Sequence, residues 1–225
     1  MSEAFDRLAA VIDHTLLRPD ADAREIDLLC EEALRFGFAA VCVQPCWVSR
    51  AARAVNGKIA VASVVSFPHG ASVASVKAAE AARARDDGAT ELDVVASLAA
   101  IRAGDDARLH DEIAIVAQAA RGAELKVILE SALWPPERLA AAARAAVAGG
   151  ATMVKTSTGF NGPGATEDAV RTLRAAVGPD VGVKASGGVR TRAQALALLA
   201  AGASRLGASA SVAIVTDAAA AASGY

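Results

Sequence analysis

The stretch from Met153 to Ala208 reads Met153-Val154-Lys155-Thr156-Ser157, a helix-forming segment over Thr166–Val177, Val181-Gly182-Val183-Lys184-Ala185-Ser186, a second such segment over Thr191–Ala201, and Arg205-Leu206-Gly207-Ala208. The short apolar, β-branched runs predict strands, and the Ala-, Leu-, Arg- and Glu-rich segments between them predict helices. Strict alternation of the two implies parallel strands covered by helices, because parallel neighbours need a long crossover. The same alternation runs back to the N-terminus. Val11–Leu16, Ala39–Gln44, Ala60–Ser66, Glu91–Ala96 and Leu125–Glu130 are further strand candidates, interleaved with helical segments at Asp22–Phe36, Ser72–Asp87, Asp105–Arg121 and Pro136–Ala148. Several helical segments end at glycine (Gly37, Gly88, Gly122, Gly149, Gly178 and Gly202), as left-handed helix caps prefer.

Eight strand–helix units in 225 residues predict a closed (β/α)8 TIM barrel with parallel strands rather than an open doubly wound sheet. No linker or low-complexity block divides the chain, so residues 1–225 read as a single domain. The nearest approach to a dinucleotide fingerprint, Gly162-Pro163-Gly164, follows a late strand and has Glu167 at the third glycine position, so it reads as a turn into a helix.

Composition narrows the function. With 23 basic and 25 acidic residues the formal charge is −2, which leaves no basic footprint for nucleic acid or an anionic membrane surface. Arg or Asp interrupts every alanine-rich stretch before the ~18 apolar residues of a membrane span. Met1 to Arg7 carries Glu3 and Asp6 and leads into no signal-type apolar core, so a cytoplasmic location is expected. Three cysteines, Cys30, Cys42 and Cys46, agree with a reducing compartment, and the scattered His14, His69 and His110 supply no metal-ligand spacing.

Only five lysines occur, Lys58, Lys77, Lys126, Lys155 and Lys184, and three of them fall inside strand candidates. Lysine, unlike arginine, can be tuned into a neutral nucleophile. Lys155 and Lys184 occupy matched contexts one βα unit apart, each followed two residues later by a serine on the same strand face. Two ammonium groups about 5 Å apart at an effective dielectric near 20 repel by roughly 3 kcal/mol, which would leave one partly neutral and able to form a Schiff base with a carbonyl. The competing reading pairs each lysine with a carboxylate such as Glu130, or lets its head reach solvent. Asp93 ends another strand and can move protons or simply neutralise a lysine. Glu91 shares its face, and Lys126 sits on the next strand, so a charged layer is expected inside the barrel. The glycine loops Gly187-Gly188-Val189-Arg190 and Gly207-Ala208-Ser209-Ala210-Ser211 stand before the last two helices, where barrels bind phosphate.

These residues resemble the 2-deoxyribose-5-phosphate aldolase family over nearly the whole chain. The motifs that carry the likeness are Ile12-Asp13-His14-Thr15-Leu16-Leu17, Val41-Cys42-Val43, Phe67-Pro68, Glu91-Leu92-Asp93, Leu125-Lys126-Val127-Ile128-Leu129-Glu130, Lys155-Thr156-Ser157-Thr158-Gly159-Phe160 and Val183-Lys184-Ala185-Ser186-Gly187-Gly188-Val189-Arg190. The resemblance implies a class I aldolase without metal or cofactor that reversibly splits 2-deoxy-D-ribose 5-phosphate into acetaldehyde and D-glyceraldehyde 3-phosphate. It assigns Lys155 as the Schiff-base lysine, Lys184 as the lysine that perturbs it, Asp93 as the proton relay, and Asp13 and Thr15 as supporting polar groups. It places Gly159, Gly187, Gly188 and Ser209 at the phosphate and the terminal Tyr225 as an assistant in proton transfer. Its partners are small phosphosugar and aldehyde substrates, and a homodimer is an assembly that such a barrel surface supports. Ser97, Ala99, His69 and Trp134 depart from the family pattern; they touch neither lysine, so the reaction class implied by the resemblance stands, while pocket shape and acceptor preference are less well defined by it. Cys42 is placed near the mouth, where a reactive aldehyde could modify it, with a buried, inert thiol as the expected state. Other readings of the same residues are a different phosphosugar aldol reaction or a non-catalytic sugar-phosphate sensor.

Overall fold

The computed structural model describes residues 8–217. Eight strands close a barrel in sequence order, β1 (Ile12–Leu16), β2 (Ala40–Val43), β3 (Ala60–Val65), β4 (Glu91–Val95), β5 (Glu124–Ile128), β6 (Met153–Lys155), β7 (Gly182–Ser186) and β8 (Arg205–Ala208), every neighbouring pair parallel and β8 returning to β1. The expected barrel is therefore the fold found. The helices among the described residues are α1 (Ala23–Phe36), α2 (Val48–Val55), α3 (Ala74–Asp86), α4 (Leu98–Ala103), α5 (Asp106–Ala120), α6 (Pro136–Ala148), α7 (Glu167–Val177), α8 (Arg192–Ala200) and α9 (Ser211–Thr216). None of these helices is long and apolar enough to cross a membrane.

Local chemistry explains the helix ends. Asp22 and Glu25 form a reciprocal capping box at the start of α1, and Thr191 and Gln194 form another at α8. Gly37 closes α1 in the left-handed conformation, as the sequence leads one to expect. Gly149 does not: its φ is not positive, and the left-handed role passes to Gly150, at φ 109°. Gly149 is instead a point of close approach between α6 and α5, where a Cβ would stand 2.7 Å from the His110 carbonyl oxygen and 2.9 Å from Ile113 Cβ. Gly149→Ala is accordingly expected to reduce unfolding free energy by about 1–3 kcal/mol through overpacking, measurable as a lower urea midpoint.

The outward residues of the strands, such as Val41, Leu92, Val94, Val127, Val154 and Val183, pack beneath the helices in one apolar core. The inward residues divide the barrel interior into two halves. On the β2–β3 side lie Cys42, Ala62 and Val64, with Leu17 and Phe67 against them. On the opposite side Glu91, Asp93, Lys126, Lys155, Lys184 and Arg205 from β4–β8, with Asp13 from β1, form an ion-paired layer.

Candidate active site

Asp93 organises the charged half. It is completely buried on β4, and its Oδ2 accepts from Lys155 Nζ at 2.8 Å and from Lys184 Nζ at 2.6 Å, while Oδ1 accepts from Lys126 Nζ at 3.0 Å. Lys155 and Lys184 are direct neighbours in register on β6 and β7. Thr156 ties these strands just above the lysines: its Oγ1 donates to the Ser186 carbonyl and accepts from the Ser186 N–H, both at 3.1 Å. The amines do converge, but a carboxylate oxygen lies between them. The unscreened repulsion expected from the sequence is therefore not the arrangement found.

Asp13 supplies the second carboxylate. It hydrogen-bonds Lys184 Nζ and accepts from Arg205 Nε at 2.5 Å. Asp13 and Lys184 lie on β1 and β7 with β8 between them, and the residue of β8 in register with Asp13 is Gly207. A Cβ on Gly207 would stand 3.0 Å from Lys184 Cε, so the glycine leaves the lane along which the lysine reaches β1. Arg205 continues to Glu91, at 2.8 and 3.0 Å, and Glu91 accepts from Lys126 at 2.5 Å. Lys126, Lys155, Lys184 and Arg205 thus form ion pairs with Asp13, Glu91 and Asp93, four cations with three carboxylates. Lys155 touches one of those carboxylates, Lys184 two and Lys126 three.

The electrostatics follow from this packing. Burial alone would raise the Asp13 carboxyl, but Lys184, Lys126 and Arg205 together outweigh it and hold its pKa at about 2. Burial opposes Asp93 ionisation in the same way, and the three lysines overcome it to hold that carboxyl well below the usual range. Burial disfavours the Lys184 ammonium, yet Asp13 and Asp93 raise its pKa above the ordinary lysine value. Burial, helped by Asp93, pushes the Cys42 thiol up to about 11, so it stays protonated and inert at neutral pH.

A carboxyl whose folded pKa is depressed stabilises the fold above its unfolded value of about 4, and that stability is lost as pH falls through the folded value. For Asp13 the contribution is on the order of 2 kcal/mol, disappearing between about pH 4 and pH 2. The expected result is a urea midpoint that drops across that window, with a shallower drop in Asp13→Asn.

Above the network lies a cavity of about 260 Å³. Thr15, Lys155, Gly159, Gly187, Gly188 and Ser209 line it. Asp13, Asp93 and Lys184 are not part of the lining; Asp93 is bonded to Lys155, which is. Thr15 Oγ1 donates to the Asp13 carbonyl at 2.9 Å. The walls also include Arg190, from the expected phosphate loop, and Leu17, Phe160, Gly162 and Gly164, which the sequence gives no reason to place at the site. Gly164 has a steric cause: a Cβ there would fall 1.9 Å from the Gly187 carbonyl oxygen, so the β6 and β7 loops can meet only over glycine. Ser97, Ala99, His69 and Trp134, where the sequence departs from the family pattern, are absent from the lining. Ser97 caps α4, and Trp134 Nε1 donates to the Leu129 carbonyl at 2.7 Å. Tyr225 lies outside the described residues.

Glu130 is not a lysine counter-ion. It sits after β5 at φ 53°, buried, and accepts from the Thr158 N–H at 3.1 Å, Thr158 Oγ1 at 2.7 Å and Asn161 Nδ2 at 3.2 Å. Asn161 also donates to the Pro68 carbonyl at 2.7 Å, so Glu130 joins the loops after β3, β5 and β6. Among the described residues no three His, Cys, Asp or Glu side chains form a metal-ligand set.

Fold and site together define a (β/α)8-barrel enzyme with its reactive groups at the C-terminal mouth. The family described as DeoC/LacD family aldolase matches residues 7–219. The deoxyribose-phosphate aldolase of Brevibacillus brevis is 49% identical over 215 residues, covering 95% of this chain and 97% of that one. Deoxyribose-phosphate aldolase 1 of Bacillus licheniformis is 47% identical, with 93% and 95% covered. Among solved structures, the deoxyribose phosphate aldolase of Aeropyrum pernix, described as a tetramer, superposes with a TM-score of 0.88 at 34% identity, over 95% of this chain and 91% of its own. The chain belongs to the DeoC/LacD family of aldolases.

Proposed function

We propose that the protein cleaves 2-deoxy-D-ribose 5-phosphate reversibly to acetaldehyde and D-glyceraldehyde 3-phosphate through a Schiff base on Lys155. The observation that carries this reading is the position of Lys155. It is the one lysine among the described residues that lines the cavity, with a buried carboxylate 2.8 Å behind its Nζ. A nucleophilic amine must first give up its proton. Lys155 pairs with one carboxylate, against two for Lys184 and three for Lys126. Asp93 Oδ2, bonded to both Lys155 and Lys184, is the short proton path between them.

The Lys155 nitrogen adds to the C1 aldehyde of the open-chain sugar, and loss of water leaves a protonated imine. Removal of the C3 hydroxyl proton then breaks the C2–C3 bond, releasing C3 as the aldehyde of glyceraldehyde 3-phosphate while the bonding electrons pass to C2 as an enamine. Protonation at C2 and addition of water return the amine and acetaldehyde. Lys184 and Asp93 hold and move protons beside the nitrogen, Asp13 keeps Lys184 in place, and Thr15 braces the Asp13 backbone. Gly159, Gly187, Gly188 and Ser209 offer close backbone and hydroxyl approach to the phosphate, with Arg190 supplying positive charge on the same wall. Tyr225 is assigned its proton-transfer role on the family resemblance.

A cytoplasmic location fits three free cysteines, and a homodimer is the assembly proposed, to be checked by light scattering. Incubation with 2-deoxyribose 5-phosphate and chromatographic product analysis tests the reaction: acetaldehyde and glyceraldehyde 3-phosphate in equal amounts are expected. Consumption to other products, or binding without turnover, contradicts it.

A further inference from the structure

We propose that Lys77 and Glu112, a buried pair on the outside of the barrel, are positioning residues that hold the end of β4 and thereby set the Asp93 carboxylate against Lys155. The inference rests on the Lys155 aldolase reading. Lys77 Nζ, from α3, donates to the Val95 carbonyl at 2.8 Å and to Glu112 Oε1, from α5, at 2.9 Å. The same Oε1 accepts from the Ser97 N–H at 2.9 Å. One ion pair thus grips the carbonyl and the N–H on either side of Ala96, beginning two residues beyond Asp93. The ladder to β5 ends at this point, with the Ala96 N–H donating to Ile128 at 3.0 Å. Past it, Lys77 and Glu112 satisfy the backbone that the sheet no longer can.

Two further features make this a clamp on the mouth. Glu80, one turn along α3 from Lys77, accepts from the Ser66 N–H at 2.7 Å, so a single helix face holds the ends of both β3 and β4. Gly70, in the loop after β3, lies so close to Ala96 that a Cβ would stand 2.2 Å from its carbonyl oxygen. The end of β4 is therefore confined from the helix side and from the loop side. The pair is also poorly placed as a source of stability: burial lowers the Lys77 pKa below its ordinary range by more than Glu112 restores it. Apolar side chains could fill the same space, but they could not hold Val95 and Ser97.

That difference supplies the test. The double variant Lys77→Met/Glu112→Leu removes the charges together, so that neither is left buried alone. On the full chain, kcat for 2-deoxyribose 5-phosphate is expected to fall by about 10- to 100-fold, with the melting temperature close to that of the parent. KM is expected to stay within about twofold, because the glycine loops after β7 and β8 are untouched. Glu112→Gln keeps an acceptor for Ser97 and is expected to fall between the two in kcat. Parental kcat in the folded double variant, or KM rising in step with the loss of kcat, overturns the inference. If the double variant does not fold, Glu112→Gln decides, and parental kcat there overturns it equally. A parent that does not cleave the substrate overturns the aldolase reading itself, which separates the two failures.

Discussion

Lys155→Ala is expected to lower kcat for 2-deoxyribose 5-phosphate cleavage by on the order of 10⁴-fold or more, while the protein remains folded. No second amine can take its place. Lys126 and Lys184 have no exposed surface and are held by three and two carboxylates, and Arg190, the other cation on the cavity wall, cannot lose its proton at working pH. Folding is expected to survive because Asp93 keeps two of its three ammonium partners. The check pairs steady-state kinetics with thermal melting. Activity retained within about tenfold would place the covalent step elsewhere.

The second large effect is expected at Asp93. Asp93→Asn preserves shape but removes the charge shared by Lys126, Lys155 and Lys184. Loss of the proton path is expected to reduce kcat by about 10²- to 10⁴-fold. Lys126 would then keep Asp13 and Glu91, Lys184 only Asp13, and Lys155 no carboxylate partner, and breaking such buried pairs typically costs about 3–5 kcal/mol. Unlike Lys155→Ala, this variant should therefore lose both turnover and stability. The kinetic part is measured per folded molecule, with the folded fraction taken from the urea transition. A stability loss with unchanged kcat would reduce Asp93 to a counter-ion, the alternative that the sequence left open.

The barrel was legible because strand and helix periodicities alternate cleanly, and Arg205–Ala208 was delimited to the residue. α2, only eight residues long between β2 and β3, and the short α4 and α9 escaped a reading tuned to longer segments. Period two correctly put Lys155 and Lys184 on inward faces of adjacent strands. It could not show what stands between them, because face does not fix height along the barrel. Asp13 meets Lys184 only through barrel closure, across the bare backbone of Gly207. Arg205 could have been found by counting back two residues from Gly207 on the same strand. Glu130 could not: its left-handed backbone turns it from the expected strand line toward Thr158 and Asn161. Gly149 gave a misleading signal because helix ends and close helix contacts select the same residue for different reasons.

Capture of an aldehyde by the amine of Lys155 can be read out directly. Acetaldehyde is added to the full chain, the mixture is reduced with borohydride, and the modified peptide is located by mass spectrometry. An ethyl group on Lys155, absent from Lys155→Ala, is the expected result. An ethyl group that persists in Lys155→Ala, or no adduct in a preparation that turns over substrate, contradicts a Schiff base on Lys155.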